Sequence, residues 1–221
     1  MTHRSDTLES FLQATAPEPT PLQREMAETA TELSFPIVGP VAGAVLAQVT
    51  RLTDADRVFE FGSGFGYSAT WFVRGGATDV VCTEFDEDEV QLGRELVADA
   101  GLDERITFEY GDAMETVTQY DGPFDAVLID HQKHRYVDAY DAVKPTLSDS
   151  AVVVADNVVR GPLDFETLAA HFSDGTPLPS QEEDEGTWGI GTYLNRVRED
   201  DDSETVLLPV GSGLAVSTVT R

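Results

Sequence analysis

The stretch Val58-Phe59-Glu60-Phe61-Gly62-Ser63-Gly64-Phe65-Gly66-Tyr67-Ser68 decides the fold class of this 221-residue chain. Its apolar start, residues 58–61, predicts a short buried strand, and the glycines after it predict a sharp turn into a helix over about 67–74. Free N–H groups at the start of such a helix, beside glycine backbone, suit a nucleotide-like cofactor. A dinucleotide site would read G-x-G-x-x-G, whereas this turn reads G-x-G-x-G, so its last glycine is misplaced for pyrophosphate.

Strand-like and helix-like patterns alternate along the chain after this turn. Short apolar runs separated by segments of helical period are typical of a parallel sheet with helices on both faces. The sequence therefore predicts an α/β fold with a Rossmann-like, doubly wound, mostly parallel sheet. Further strands are predicted over 79–83, 105–110, 124–129 and 151–155. One helix is predicted over 87–100, and another follows the strand at 124–129 and continues to about residue 147.

The two ends of the chain follow other patterns. Residues 1–21 predict an N-terminal helix or a loose arm, and helices follow over 22–33 and 37–52. We expect residues 1–55 to form a helical segment that packs on the core and covers the cofactor site, within one compact domain whose remainder is 56–221. After a short helix over 164–172, strand-like segments over 190–197 and 205–209, the second continued by 211–220, predict an antiparallel hairpin at one sheet edge. A helix over 188–198 is the competing interpretation.

The charge balance excludes several classes of partner. Asp and Glu number 41 against 14 Lys and Arg, which gives a net charge of −27. This disfavours nucleic acid and anionic membranes, because both are polyanions.

Only two of the basic residues are Lys, and scarce lysine with abundant acid predicts a halophile whose cytoplasm holds molar salt. The sequence has no apolar run long enough for a membrane span, no signal-peptide pattern and one cysteine, so we expect a cytoplasmic protein.

Acidic residues follow three of the predicted strands. Glu60 lies inside an apolar run, where a carboxylate needs a partner such as an ammonium group or a backbone N–H. Glu84 ends the second strand, where a carboxylate can bind both hydroxyls of a ribose. Asp112 and Ala113 follow the third strand, which places them near an adenine edge. The alternative is that Glu84 and Asp112 are solvated acids of an acidic protein.

A second group of polar residues follows the fourth and fifth strands. Asp130, Asp156 and Asn157 would offer three oxygen ligands to one hard cation, for which magnesium is suited, and Lys133 could reach the same crevice. Alternatively, Asp130 is a helix N-cap, Asp156 and Asn157 form a turn, and Lys133 is a surface lysine. We interpret His131 and His134 as loop residues and Tyr136 as a packing residue.

Taken in order, these residues resemble the catechol and caffeoyl-CoA O-methyltransferase family. The resemblance runs from about residue 36 to near the C-terminus. It rests on the turn at 58–68, on Glu84, on the D-x-x-K-x-x-Y of residues 130–136, and on Ala-Asp-Asn-Val at 155–158.

The resemblance implies an S-adenosylmethionine-dependent O-methyltransferase in which magnesium assists. In such an enzyme Glu60 and Ser68 hold the methionine part of the cofactor, Val38 contacts it through the backbone, and Lys133 is the general base. The cofactor-binding residues that it implies are Val38, Glu60, Gly62, Gly64, Tyr67, Ser68, Glu84, Phe85, Asp112, Ala113 and Asp130. The metal ligands that it implies are Asp130, Asp156 and Asn157.

Three departures concern the acceptor rather than the reaction. Gln132, Gly161 and Asn195 stand where catechol enzymes carry Trp, Pro and Glu on the substrate side. We therefore expect a small hydroxylated acceptor, a phenol or a vicinal diol, as the molecular partner, and relatives of this kind are often homodimers. The alternatives are a metal-independent methyltransferase on another acceptor, an NAD-dependent oxidoreductase on the same sheet, and a catalytically silent binding module.

Overall fold

The computed structural model describes the backbone of residues 2–220 and the side chains of residues 7–220. Seven strands form one sheet in the order β3-β2-β1-β4-β5-β7-β6, in which β1 to β5 are parallel and β7 runs antiparallel to both β5 and β6. This confirms the predicted Rossmann-like, mostly parallel sheet with a hairpin at its edge. The strands are β1 Arg57–Phe61, β2 Asp79–Glu84, β3 Ile106–Tyr110, β4 Phe124–Ile129, β5 Leu147–Ala155, β6 Ser203–Leu208 and β7 Leu214–Val219.

Helices cover both faces of the sheet. Buried residues of α2, α3, α4 and α5 pack on one face, and buried residues of α7, α8 and α9 pack on the other. In the part of the chain that is described, none of these helices has the length and apolar character needed to cross a membrane. The helices are α1 Thr2–Thr15, α2 Pro21–Leu33, α3 Gly39–Thr53, α4 Tyr67–Gly75, α5 Glu87–Asp99, α6 Ala113–Thr116, α7 Tyr136–Val143, α8 Phe165–Asp174 and α9 Glu185–Arg198.

Residues 190–197 belong to helix α9, so the strand predicted there is wrong and the competing helix interpretation is right. The helix begins at a side-chain cap, since Asp184 Oδ1 accepts the N–H of Thr187 at 2.9 Å. Its apolar residues Ile190, Leu194 and Val197 recur at helical spacing and are buried against the sheet. The edge hairpin is instead made by β6 and β7, and its second strand comes from the predicted continuation over 211–220.

The strand order reverses between β1 and β4, which lie side by side in parallel although β2 and β3 separate them in the chain. In an open parallel sheet, ligands bind beyond the carboxyl ends of the strands at such a reversal. The fold therefore directs attention to the residues that follow β1, β4 and β5.

Candidate functional site

A cavity of about 540 Å³ lies at this reversal, and we call it the main cleft. Its walls come from the turn after β1, the end of β2, the segments after β4 and β5, and residues 35–38 before α3. Most of the predicted site residues meet here. Those that line the main cleft are Val38, Gly62, Gly64, Tyr67, Ser68, Glu84, Phe85, Asp130, Lys133, Asp156 and Asn157; Glu60, Asp112 and Ala113 are not among its lining residues.

The glycine-rich turn needs its glycines for geometric reasons. Gly62 and Gly66 have φ angles of 79° and 85°, in the left-handed region. A Cβ at Gly62 would lie 2.9 Å from the Cα of His131, and one at Gly66 would lie 2.6 Å from the ring of Phe108. The turn therefore keeps the backbone in close contact with the segment after β4.

Glu60 is a buried carboxyl group at the end of β1. Its Oε2 accepts hydrogen bonds from the Ser68 hydroxyl at 3.2 Å and from the Cys82 thiol at 3.5 Å. Its Oε1 has no hydrogen-bond partner among the described residues. Burial raises the pKa of Glu60 to about 8. A buried carboxyl oxygen without a donor fits a ligand that brings an ammonium group.

Glu84 braces the glycine-rich turn. Its Oε2 accepts the N–H of Gly64 at 2.9 Å, and its Oε1 accepts the N–H groups of Phe85 at 2.7 Å and Asp86 at 3.1 Å. A carboxylate has about four acceptor positions, so these three bonds still allow it to bind a further hydroxyl donor.

Asp112 has a local structural partner. It caps helix α6 through the N–H of Met114 at 2.8 Å, and its other oxygen pairs with Arg135 at 3.1 Å. Burial acts to raise the pKa of Asp112, but the Met114 N–H and the Arg135 guanidinium outweigh it, so the pKa is lowered overall. The contact of Asp112 and Ala113 with an adenine edge stays a prediction.

Lys133 is the centre of a buried polar network in the main cleft. Its Nζ donates to Asp130 Oδ1 at 3.1 Å, to the Tyr136 hydroxyl at 2.6 Å and to Asn157 Oδ1 at 2.5 Å. The Tyr136 hydroxyl donates in turn to the carbonyl of Asp156 at 3.1 Å. The parallel pairing of β4 with β5 brings these residues together, because the N–H of Asp156 bonds the carbonyl of Ile129.

The two aspartates of this network have pKa values above the ordinary range. Burial raises the pKa of Asp130, against the opposing effect of Lys133. Burial and then the charge of Asp130 raise the pKa of Asp156 to about 7. A cation close by would stabilise the charged form of each carboxylate. The Asn157 amide oxygen, which lies within hydrogen-bonding distance of Lys133, is a third oxygen at the same place.

The donor set fits one hard cation with few protein ligands. It contains only two carboxylates, Asp130 and Asp156, and depends on the Asn157 amide for its third oxygen. Among the side chains of residues 7–220, groups of three or more His, Cys, Asp or Glu suited to a metal ion are absent. The metal site therefore remains a proposal that depends on this mixed set.

Tyr136 and His131, predicted as a packing residue and a loop residue, both have further contacts at the main cleft. Tyr136 is buried as predicted, but its hydroxyl also holds Lys133, and the three-residue spacing from Lys133 was the available signal. The His131 ring is stacked on Tyr136 at 5.6 Å, and neither ring nitrogen has a partner among the described residues. Burial lowers the pKa of His131 to about 3, so the ring is neutral.

The three positions that differ from catechol enzymes do not all face the main cleft. Gln132 and Gly161 line it, whereas Asn195 does not. Asn195 lies on α9 with its amide nitrogen 3.0 Å from His171 Nε2 on α8. The predicted substrate-side position of Asn195 therefore disagrees with the lining of the main cleft.

Comparison with known proteins assigns the family. A sequence model of the O-methyltransferase family matches residues 14–219. This chain belongs to the O-methyltransferase family. The match confirms the resemblance found in the sequence, and it covers the main cleft completely.

Individual relatives of this O-methyltransferase family member agree with that assignment. A catechol O-methyltransferase of Mycobacterium tuberculosis is 33% identical over 138 residues, which is 61% of this chain and 63% of the relative. A caffeoyl-CoA O-methyltransferase of Stellaria longipes is 25% identical over 191 residues, 82% of this chain and 76% of the relative. This chain thus spans about three fifths of the length of the catechol O-methyltransferase relatives.

Solved structures support the fold. The O-methyltransferase from Bacillus cereus, determined in complex with SAH, superimposes with a TM-score of 0.81 at 22% identity, covering 96% of this chain and 97% of that one. At this identity the likeness concerns the fold alone.

Proposed function

We propose that this protein is an S-adenosylmethionine-dependent O-methyltransferase that uses a hard divalent cation and methylates a small phenol or vicinal diol. The observation that carries the proposal is the buried Lys133 network. A lysine amine lies within hydrogen-bonding distance of Asp130 and Asn157, at the ends of adjacent strands and in the same cleft as the glycine-rich turn.

The cofactor half of the site follows from the groups around the glycine-rich turn. Glu60, whose Oε1 is unpartnered and which Ser68 connects to the cleft wall, receives the ammonium group of the methionine part, and the Val38 backbone in the same wall contacts the cofactor. Glu84 receives a ribose hydroxyl while it braces the turn, and Phe85 lies next to it. Asp112 and Ala113 lie towards the adenine in this assignment.

The chemical half of the site consists of the residues after β4 and β5. When bound, S-adenosylmethionine supplies an electrophilic methyl group, and a divalent cation on Asp130, Asp156 and Asn157 supplies positive charge towards the acceptor oxygens. Lys133 Nζ would accept the proton of the acceptor hydroxyl as a neutral amine, so it must first release one of the protons that it donates to Asp130, Tyr136 and Asn157. Tyr136 and Asn157 keep this amine in place, so most of the gain in rate is positioning.

A metal-independent methyltransferase is the second candidate. The observation in its favour is that Lys133 already bridges Asp130 and Asn157, so a positive charge is present at the predicted metal position. The family match disfavours the NAD-dependent oxidoreductase.

A chelation experiment tests the proposal and separates the two candidates. Methyl-labelled S-adenosylmethionine is incubated with the protein and with catechol, its monomethyl ether guaiacol and simple phenols, in EDTA or in Mg²⁺. We expect a methyl ether of catechol as product, at least a 100-fold loss of rate in EDTA, and recovery in excess Mg²⁺. Equal rates in EDTA and Mg²⁺ would support the metal-independent candidate, and S-adenosylhomocysteine binding without transfer to any hydroxyl would contradict the proposal.

A further inference from the structure

A larger cavity of about 1200 Å³ lies beside the main cleft, and we call it the side cavity. It lies between helix α1, the start of α3 and the turn that joins β6 to β7. Its described lining consists of residues 7–9, 11–13, 37–41, 160 and 209–212. None of the chemistry assigned above uses this space.

The side cavity adjoins the main cleft, and a loop connects their shared wall to the chemical half of the site. Both cavities are lined by Ile37, Val38 and Ser212. The Ser212 carbonyl accepts the N–H of Arg160 at 2.8 Å, and the next residue, Gly161, packs against Asn157, with its Cβ position 3.3 Å from that of the asparagine. The loop from Asn157 to Gly161 therefore runs from the predicted metal ligands to the wall between the cavities.

The described lining of the side cavity is mainly apolar, with Thr7, Gln13 and Ser212 as its neutral polar residues. Leu8 and Phe11 of α1 line it and are 55% and 62% exposed, although large apolar side chains are stabilised by being covered. Val41 and Val210 line it from α3 and the hairpin turn. Its charged side chains among residues 7–220 are Glu9 and Arg160, which form an ion pair at 3.1 Å.

Volume points to the acceptor as the occupant. A drug-sized ligand occupies a pocket of about 300–1,000 Å³. The main cleft, at about 540 Å³, already has a cofactor of that size to hold, together with the reacting hydroxyl groups. The side cavity, which shares Ser212 with the main cleft, offers space for any bulk of the acceptor beyond its hydroxylated ring.

We propose that the acceptor carries an extended, neutral, apolar substituent that lies in the side cavity while its hydroxyl groups face Lys133. This inference rests on the proposed function and names its substrate class. The mainly apolar lining and the net charge of −27 both disfavour a polyanionic carrier on the acceptor. The substituent covers Leu8 and Phe11, which the protein leaves exposed.

A series of 4-alkylcatechols, from methyl to octyl, tests the proposal with S-adenosylmethionine and Mg²⁺. We expect KM to fall by about threefold for each of the first few added CH₂ groups, with kcat nearly constant. Val41→Trp places a large side chain in the side cavity and should abolish this trend. The readout is the ratio of KM for the longest and shortest chains, from which a uniform loss of activity cancels.

Leu207→Trp is the matched control. Leu207 lines a separate apolar cavity of about 330 Å³ between α8, α9 and β6, so the same substitution there should leave the KM trend unchanged. KM values that do not depend on chain length in the wild-type protein would overturn the inference while leaving methyl transfer intact. The wild-type protein could also be a dimer that Val41→Trp converts to a monomer. If this occurs together with KM values that do not depend on chain length, the face around the side cavity is an interface between copies of this chain.

Binding separates failure of the inference from failure of the proposed function. The neutral dye N-phenyl-1-naphthylamine should bind the side cavity and be displaced by 4-octylcatechol, with at least tenfold weaker binding to Val41→Trp. If the dye is displaced in this way but no methyl group is transferred, the side cavity is retained as a ligand site and the proposed function fails. If the dye does not bind, or if Val41→Trp does not weaken its binding, the side cavity is not a ligand site.

Discussion

Burial controls the charge state of the acids around the main cleft. Glu60 and Asp156 have pKa values raised to about 8 and about 7, in each case mainly because burial disfavours the charged form. Both side chains are therefore protonated more than an exposed carboxyl would be when no cation is near. Binding of an ammonium group at Glu60, or of a divalent cation at Asp156, would release those protons.

The pH dependence of S-adenosylhomocysteine affinity tests the role of Glu60. Because the pKa in the free protein is about 8, binding of the ligand's ammonium group below that pH requires proton release, so affinity should rise by up to about tenfold per pH unit between pH 6.5 and 8. Glu60→Gln should weaken binding and flatten this dependence. Calorimetric titration measures both, and an affinity in the wild-type protein that does not change with pH would contradict the assignment.

The free energy of unfolding changes with pH in the opposite direction to the ligand affinity. The pKa of Glu60 in the folded protein lies above its unfolded value, so folding favours the protonated form. The stability due to this group is therefore lost as pH rises from about 4.5 towards 8. A bound ammonium group restores it.

Sequence reasoning found the site residues that follow strands and missed those that depend on three-dimensional contacts. Glu84, Asp130 and Asp156 directly end or follow a strand, so their meeting at one sheet edge could be predicted. The bond from Lys133 to Tyr136 and the stacking of His131 on Tyr136 depend on how the turn after β4 folds back. The three-residue spacing suggests that Lys133 and Tyr136 are neighbours, but it fixes neither the geometry of their bond nor the position of the His131 ring.

At the scale of elements, helix α9 determines the position of the Lys133 turn. Gly189 of α9 lies against the turn backbone, and a Cβ there would be 2.3 Å from the carbonyl oxygen of Lys133. Gly191, two residues further along, faces the flexible side chain of Leu178, and a Cβ there would be 2.5 Å from it. Two alanine substitutions in one helix therefore have different consequences.

Gly189→Ala should lower kcat by at least tenfold, because the added methyl group pushes the Lys133 backbone away from Asp130 and Asn157. Gly191→Ala is the control, with the same gain in helix propensity of about 1 kcal/mol and a neighbour that can move. Steady-state kinetics and thermal denaturation of both variants give the comparison. Equal kcat values for the two variants would show that α9 does not position the lysine.

The same glycines explain why α9 was predicted as a strand. Gly186, Gly189 and Gly191 lower the helix propensity of the segment, and the Thr and Tyr that follow them at 192 and 193 favour a strand. Tertiary packing decides for the helix, since the glycines allow close contact with the Lys133 turn and with Leu178. The strands β1 to β4 could be predicted to within one residue at each end, whereas β5 begins at Leu147, four residues before the predicted start and where the preceding helix was expected to end.

At the scale of the whole molecule, acidic charge is the dominant feature. With a net charge of −27, self-repulsion opposes the compact state at low ionic strength. Ion pairs such as Lys144 with Asp200 offset only a small part of it. Composition predicted this property directly, whereas the side cavity depends on how α1, α3 and the β6–β7 turn come together and has no counterpart in the sequence pattern.

Thermal stability should therefore rise with salt. We expect the Tm to increase by several degrees between 0.05 M and 1 M KCl and to level off above that, because the Debye length has by then fallen to about 3 Å. Differential scanning calorimetry gives the curve. A Tm that falls with KCl, or that rises linearly to 3 M without levelling off, would argue against screened self-repulsion as the cause.

Methyl transfer by the lysine variants tests the central claim most directly. Lys133→Met keeps the apolar stem and removes the amine, and Lys144→Met is the control, because Lys144 is the only other lysine and pairs with Asp200 away from the main cleft. With catechol, S-adenosylmethionine and Mg²⁺, we predict at least a 100-fold loss of kcat for Lys133→Met, unchanged S-adenosylhomocysteine affinity, and near-wild-type kcat for Lys144→Met. A Lys133→Met protein that methylates catechol at the wild-type rate would contradict the account.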